Sequence, residues 1–273
     1  MNPIIPLKEL PLSNDFMFSQ VMRNEDICIL FLEALLQRDI KRIVFIDKQK
    51  DLSDSYTSHG IRLDVYINNE NGTVYNIEMQ NSSRRVLERR CRYYQSGMDR
   101  HLLEKNADYD ELGETYIIFV CNFDYFRRGL AVYERESKFK GCEDLIYDDG
   151  SHVLFLNSHY RDGNADHAIL EFLDYVRTNN EAESHSDLME KVKTAVQSIR
   201  NDETKEESYM TWEMSMRDAR KEAKEEGREE GREEGRVEER ANNIRLLKND
   251  LSPEILAKRF NMSLEEIKEI LRS

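Results

Sequence analysis

The sequence predicts an α/β fold: a mixed central sheet flanked by helices, followed by an all-helical C-terminal extension. Three observations carry this. Residues 61–67 and 74–80 alternate apolar and polar positions, which is the period of a strand. Residues 115–123 are almost continuously apolar, as expected of a central strand covered on both faces. Beyond about residue 180, 184–248 contain no strand-like run, and Glu-Glu-Gly-Arg repeats three times from Glu225.

The elements follow in order. Asn14-Asp15-Phe16-Met17-Phe18 opens a helical pattern carried on by Ile27, Leu30, Phe31, Ala34 and Leu35. A short polar residue just before a helical run satisfies orphan amides, so Asp15 reads as an N-cap. A strand is expected over 42–47, then a polar loop over 51–60, then a hairpin. In the hairpin Ile61, Leu63, Val65, Ile67, Tyr75, Ile77 and Met79 form the dry side, and Arg62, Asp64, Asn76, Glu78 and Gln80 the wet side. Matching apolar to apolar requires a three-residue loop, Glu70-Asn71-Gly72, with Gly72 left-handed. A two-residue Asn71-Gly72 turn would set Asp64 against Met79 and is rejected.

This register puts Asp64 opposite Glu78 and Arg62 opposite Gln80. Directly opposed acids have β-carbons ~5 Å apart and like charges so placed destabilise a sheet, so positive charge belongs between them. A divalent cation supplies it, since Mg²⁺ is held by one or two carboxylates with water and substrate phosphate. Arg62 neutralising a solvated pair is the other reading, and the hairpin alone does not separate the two.

A helix is expected over 83–104, with Val86, Leu87, Cys91, Tyr94, Met98 and Leu102 at helical spacing. The stretch from Arg84 to Lys105 holds Arg84, Arg85, Arg89, Arg90, Arg92, Arg100 and Lys105 against Glu88, Asp99 and Glu104. Such a basic surface beside paired acids suits a phosphodiester, and it equally describes a solvated helix face. Strands are expected over 130–139 and 153–156, and a helix over 166–178. The boundaries read as 1–180 for the α/β domain, 181–248 for a charged helical spacer and 249–273 for a two-helix module.

In the spacer, a period of four places Gly227, Gly231 and Gly235 on one stripe. Each glycine costs a helix ~1 kcal/mol, so packing on a partner helix would help, giving the spacer oligomerising potential. In the last module Ser252-Pro253 and the Ser263…Glu266 capping box mark two helix starts. The pair resembles a helix-turn-helix, but its second helix is acidic and lacks base-reading side chains, which favours a docking module over a DNA reader.

The 273 residues carry a net charge of −14, which argues against a coat of positive charge for nucleic acid and leaves only the local basic helix. No apolar run approaches the ~18–20 residues of a membrane span, and the first residues lack the order of a secretory signal. The four cysteines form no C-x-x-C pair, so neither zinc nor disulfides are expected and a reducing cytoplasm is the default. The histidines show no ligand spacing.

Asp64, then Glu78-Met79-Gln80 across a hairpin, then a basic helix, resembles the PD-(D/E)XK nuclease superfamily, whose core is restriction-endonuclease-like. Asn14–Phe18, Asn76-Ile77-Glu78-Met79-Gln80, Arg90-Cys91-Arg92-Tyr93-Tyr94-Gln95, the strand from Tyr116 and the Glu-Glu-Gly-Arg repeats are similar to its recombination-promoting nuclease and transposase branch (Rpn-like). The resemblance implies an endonuclease that hydrolyses DNA with Mg²⁺, Mn²⁺ substituting, in recombination or mobile-element processing. It makes Asp64, Glu78 and the Met79 carbonyl the metal ligands and sets Gln80 where the superfamily has lysine. Asp15, Arg62, Arg90, Tyr94 and Gln95 become accessory residues around the site. Glutamine carries no charge and is no base at neutral pH, but it can orient water or a phosphate oxygen. The rival class is a catalytically silent nuclease fold used for binding or assembly, with self-association through the C-terminal helices. A strand-transfer enzyme sharing the site is a third.

Overall fold

A computed structural model describes residues 4–51, 62–69, 72–82, 86–103, 108–180 and 184–272; within these, side chains at 44–51, 62–66, 68–69, 143, 230 and 234 lie outside the description. The chain forms two compact units, Met1–Tyr209 and Met210–Ser273.

In the first unit Asn14 caps α1 (Asp15–Val21), its Oδ1 accepting from the amides of Phe16 and Met17 at 2.9 and 3.3 Å. The capping role expected of Asp15 thus falls to its neighbour. Asn24 caps α2 (Glu25–Leu36) in the same way. The strands β1 (Ile43–Asp51), β2 (Arg62–Asn69) and β3 (Val74–Gln80) follow, and α3 (Leu87–Leu102) crosses to β4 (Thr115–Cys121). The apolar stretch over 130–139 divides into β5 (Val132–Glu134) and β6 (Lys138–Phe139), the latter pairing with β7 (Cys142–Ile146) in a separate ribbon. Then come β8 (Ser151–Asn157), α4 (His167–Thr178) and α5 (Asp187–Arg200). Asp166 caps α4 by accepting from the Ala168 amide at 2.8 Å.

The main sheet has six strands in the order β1-β2-β3-β4-β8-β5. It is mixed, with β3, β4 and β8 parallel to one another and the other neighbours antiparallel. The hairpin register is the one that matches apolar to apolar, running from Asn68↔Val74 to Val65↔Ile77. Gly72 sits at φ +76°, the left-handed conformation that the loop requires; Glu70 and Asn71 lie outside the described residues.

One expectation is overturned. The supposed wet side of β3 is not wet: every residue from Val74 to Gln80 is buried. The reason is that α3 lies across that side, packing Leu87, Cys91, Tyr94 and Met98 onto Val74, Ile117, Phe119, Cys121, Val153 and Phe155. The alternate positions Tyr75, Ile77, Met79, Ile118, Val120, Leu154 and Leu156 are buried on the opposite face, and α1, α2, α4 and α5 pack on one another in a second helical layer that meets β1 through α2.

The first unit runs to Tyr209, whereas charge density places a change near 180. Leu188, Met189, Val192 and Val196 of α5 are buried, and the Tyr209 ring lies 5.2 Å from that of Phe16.

The long α6 (Glu203–Leu246) contains the Glu-Glu-Gly-Arg repeats, helical as the period predicts. A Cβ added at Gly227, Gly231 or Gly235 would meet nothing within 4 Å. In the second unit Ile244 shares a small core with Leu256 of α7 (Pro253–Phe260) and Ile267 of α8 (Leu264–Arg272). The Ser263–Glu266 capping box is present, the two reciprocal bonds measuring 2.7 and 3.2 Å. Among the described residues no helix is long and apolar enough to cross a membrane.

Candidate active site

Because β3 shows alternate residues to α3, Asn76, Glu78 and Gln80 form a polar row inside an otherwise apolar layer. A buried carboxylate must be paired and hydrogen-bonded, and Glu78, 1% exposed, is both. Its Oε1 accepts from Asn76 Nδ2 at 3.1 Å, and its Oε2 accepts from Gln80 Nε2 at 3.2 Å and from Arg90 Nη2 at 2.7 Å. Arg90 Nη1 donates to Gln80 Oε1 at 3.0 Å, and Nη2 also reaches the Tyr94 hydroxyl at 2.6 Å. These bonds fix the Gln80 amide, its nitrogen on the carboxylate and its oxygen on the guanidinium.

Arg90 and Tyr94 reach this point together because residues four apart share one face of α3. The guanidinium carbon lies 5.1 Å from the Tyr94 ring centroid and 5.5 Å from that of Phe119. Its side chain stays 24% exposed. One end of Arg90 therefore grips Glu78 while the group still meets solvent. α3 thus places one positive charge beside Glu78.

Asp64 lies on β2, and continuing the observed register by one residue sets it across from Glu78. The side chains of Asp64 and Arg62 lie outside the described ones. Asp15 is brought to the end of β3: Asn81 Nδ2 donates to Asp15 Oδ1 at 3.2 Å and to the Ser13 carbonyl at 2.6 Å. Met79 turns its side chain to the opposite face and leaves its backbone in register with Val120 of β4. Gln95 goes elsewhere. It donates to Thr115 Oγ1 at 2.5 Å and to Asp99 Oδ1 at 2.7 Å. Thr115 pairs with Val74, four residues and therefore ~13 Å along the strand from Glu78.

Two features escape sequence reasoning. Asn76 is wholly buried, and its Oδ1 has no hydrogen-bond partner among the described residues. An orphaned buried acceptor beside a carboxylate is what a cation or ordered water would satisfy. The oxygen-only set of Glu78 and Asn76 has the hard-donor chemistry that Mg²⁺ takes, although the described residues contain no cluster of three or more metal-ligating side chains. The second feature is the loop after β4. Asp124 ties it down, accepting from the Arg127 and Gly129 amides and the Tyr133 hydroxyl, each at 2.8 Å. Phe126, Arg127 and Arg128 stand exposed on it. An Asp three residues before exposed arginines is the signal that could have found it.

A family model described as PD-(D/E)XK nuclease family transposase matches residues 12–226. No curated protein and no solved structure matches the chain.

Proposed function

Since the chain belongs to the PD-(D/E)XK nuclease family transposases, we propose that it cuts DNA endonucleolytically in the presence of Mg²⁺ or Mn²⁺, acting in recombination or mobile-element processing. The observation that carries this reading is the buried Glu78–Gln80–Arg90 network at the end of β3. Asp64, Glu78 and the Met79 carbonyl would hold the cation, with Asn76 Oδ1 as a further oxygen. When bound, it supplies Lewis-acid stabilisation of charge developing on the phosphate and lowers the pKa of water.

The chain's own residues have defined tasks. Gln80 has no proton to take up at neutral pH, so it orients rather than acts as a base. Arg90 presents a fork matched to a carboxylate or a phosphate. A substrate phosphate would compete with Glu78 for this fork, and Glu78 would then be available to a cation. Asp15, hydrogen-bonded through Asn81, borders the mouth.

The same guanidinium supports a second reading, a silent nuclease fold in which Arg90 holds Glu78 permanently and the chain binds or assembles, through its C-terminal helices, without cutting. Supercoiled plasmid incubated with and without Mg²⁺ separates the two. The nuclease reading expects nicking by the wild type that falls at least ~100-fold in Asp64→Ala and Glu78→Gln, the usual scale for removing a charge-stabilising group. Equal nicking by all three proteins overturns it. DNA retained uncut under every condition supports the silent fold, and joined rather than cut products support strand transfer.

A further inference from the structure

Glu88 and Arg90, two residues apart on α3, point to opposite flanks of the helix. The flank of Arg90 holds Glu78; that of Glu88 borders a cavity of about 240 Å³ between α3, β5 and β8. That is below the ~300 Å³ at which pockets for drug-sized ligands begin, so its room suits one planar ring system. Its walls are Phe126, Tyr133, Val153 and Phe155, with Cys91 behind them. Burial pushes the Cys91 thiol up to about 12, which keeps it a neutral part of the wall. The Phe126 ring stands 5.0 Å from Phe155 at 82° and 5.0 Å from Tyr133 at 58°. Flat faces thus meet at an angle, as a floor and a side against which a ring can stack.

The rim is acidic, with one guanidinium. The Glu134 side chain has no hydrogen bond or ion pair among the described residues, and Glu88 Oε2 accepts from the Tyr125 hydroxyl at 2.5 Å. Arg135 is anchored on the carbonyl and hydroxyl of Ser151 at 2.5 and 2.7 Å. A rim of acceptors repels phosphate and suits a ring bearing an amino group. The lip adds the reverse charge: next to Phe126, which is 37% exposed, Arg127 and Arg128 are exposed and form no ion pair among the described residues. A stacking ring beside free guanidinium groups is how single strands are held, base on the aromatic face and phosphates on the cations. A small organic ammonium would also fit the walls and the acids, but it would give the two arginines nothing to bind.

The cavity also lies within reach of the candidate active site. Arg90 is 5.5 Å from the Phe119 ring, and Phe119 is 5.4 Å from Phe155 in the cavity wall. Phe119 is itself buried beneath α3, so a strand that reaches both points runs over that helix rather than along this line.

We propose that this cavity receives one unpaired, amino-bearing base, cytosine or adenine, of the strand held at Glu78, stacked on Phe126 with its amino group on Glu88 and Glu134 and its flanking phosphates on Arg127 and Arg128. The inference rests on the nuclease reading and extends it to base preference. Thymine presents a carbonyl oxygen where cytosine and adenine present an amino group, so the carboxylates select against it.

The test is fluorescence anisotropy with labelled homopolymers of deoxycytidylate, deoxyadenylate and deoxythymidylate, with Ca²⁺ replacing Mg²⁺ so that no strand is cut. The wild type is expected to bind the cytosine and adenine strands about tenfold more tightly than thymine, the scale of one good base contact. Phe126→Ala should weaken the preferred strands about tenfold, the scale of a lost stacking platform. Glu88→Ala combined with Glu134→Ala should level the three strands. Arg90→Ala should weaken all of them and keep the preference. Equal wild-type affinity for the three strands, or a preference that survives the double substitution, overturns the base pocket and leaves the nuclease reading standing. A wild type that binds no strand also overturns the base pocket, and the plasmid assay then decides the nuclease reading by itself. Should Phe126→Ala fail to fold by circular dichroism, the double variant decides, because its two positions are exposed.

Discussion

Replacing Arg90 by alanine tests the architecture of the site apart from any activity. The substitution removes the guanidinium's hydrogen bonds to Glu78, Gln80 and Tyr94 and takes the Arg90 charge from a carboxylate that is 1% exposed, while the amide donors of Asn76 and Gln80 stay in place. Stripping one partner from a buried ion pair costs ~3–5 kcal/mol. Arg90 itself is 24% exposed, so water enters part of the vacated space and the lower end, ~3 kcal/mol, is expected. For a unit of this size each kcal/mol moves the midpoint by ~2–4 °C, giving a drop of roughly 6–12 °C. Scanning calorimetry is the assay, because it reads the melting of the fold directly. Glu78→Gln should cost less, since the guanidinium it abandons can turn to solvent. The double-mutant cycle should return a coupling of ~1–3 kcal/mol. A midpoint within 1 °C of wild type for Arg90→Ala, or a coupling near zero, would refute the assignment of Arg90 as the counter-charge of Glu78.

Other consequences can be measured independently. Burial pushes the Glu171 carboxyl up, but the Ser186 hydroxyl, the His185 amide and the imidazoles of His167 and His185 outweigh it and hold the group below its usual range. Its stabilisation is therefore complete above the ordinary carboxylate pKa and is lost as pH falls through the lowered one; Glu171→Gln should flatten the acid limb of the stability–pH curve, and an unchanged limb would contradict this. Ser263→Ala removes half of the capping box that starts α8 and should cost ~1 kcal/mol, read as faster amide exchange in its first turn. Alanine at Gly227, Gly231 and Gly235 together should stabilise α6 by ~1 kcal/mol per site, because a Cβ there meets nothing. If thermal melts instead show a loss that scales with protein concentration, a second chain occupies the stripe.

The elements that could be read from the chain were those whose signal is local. The register of β2 against β3 followed from apolar matching, and the capping box at Ser263 and the central strand β4 from spacing and composition. What could not be read was which polar row lies under a helix. Asn76, Glu78 and Gln80 look like a solvent face because alternation records only difference between sides, and only the docking of α3 decides that both are covered. Arg90 as the partner of Glu78 joins residues twelve apart through that docking. Gln95 looked equivalent by proximity in sequence, yet five residues carry it ~7.5 Å along the helix to Thr115. The loop at 122–129 was obscured at its start, because Phe123 reads as the end of the apolar strand over 115–123.

The burial of β3 between β2 and β4 has a dynamic corollary. Amide protons from Asn76 to Gln80 sit in the interior of the six-stranded sheet, where exchange with deuterium proceeds only through unfolding of the whole unit. The peptide backbone beneath the acid is accordingly a fixed floor on the timescale of turnover. A motion that uncovers Glu78 without bending this floor is a rotamer change of Arg90, an event far faster than a hinge of the sheet.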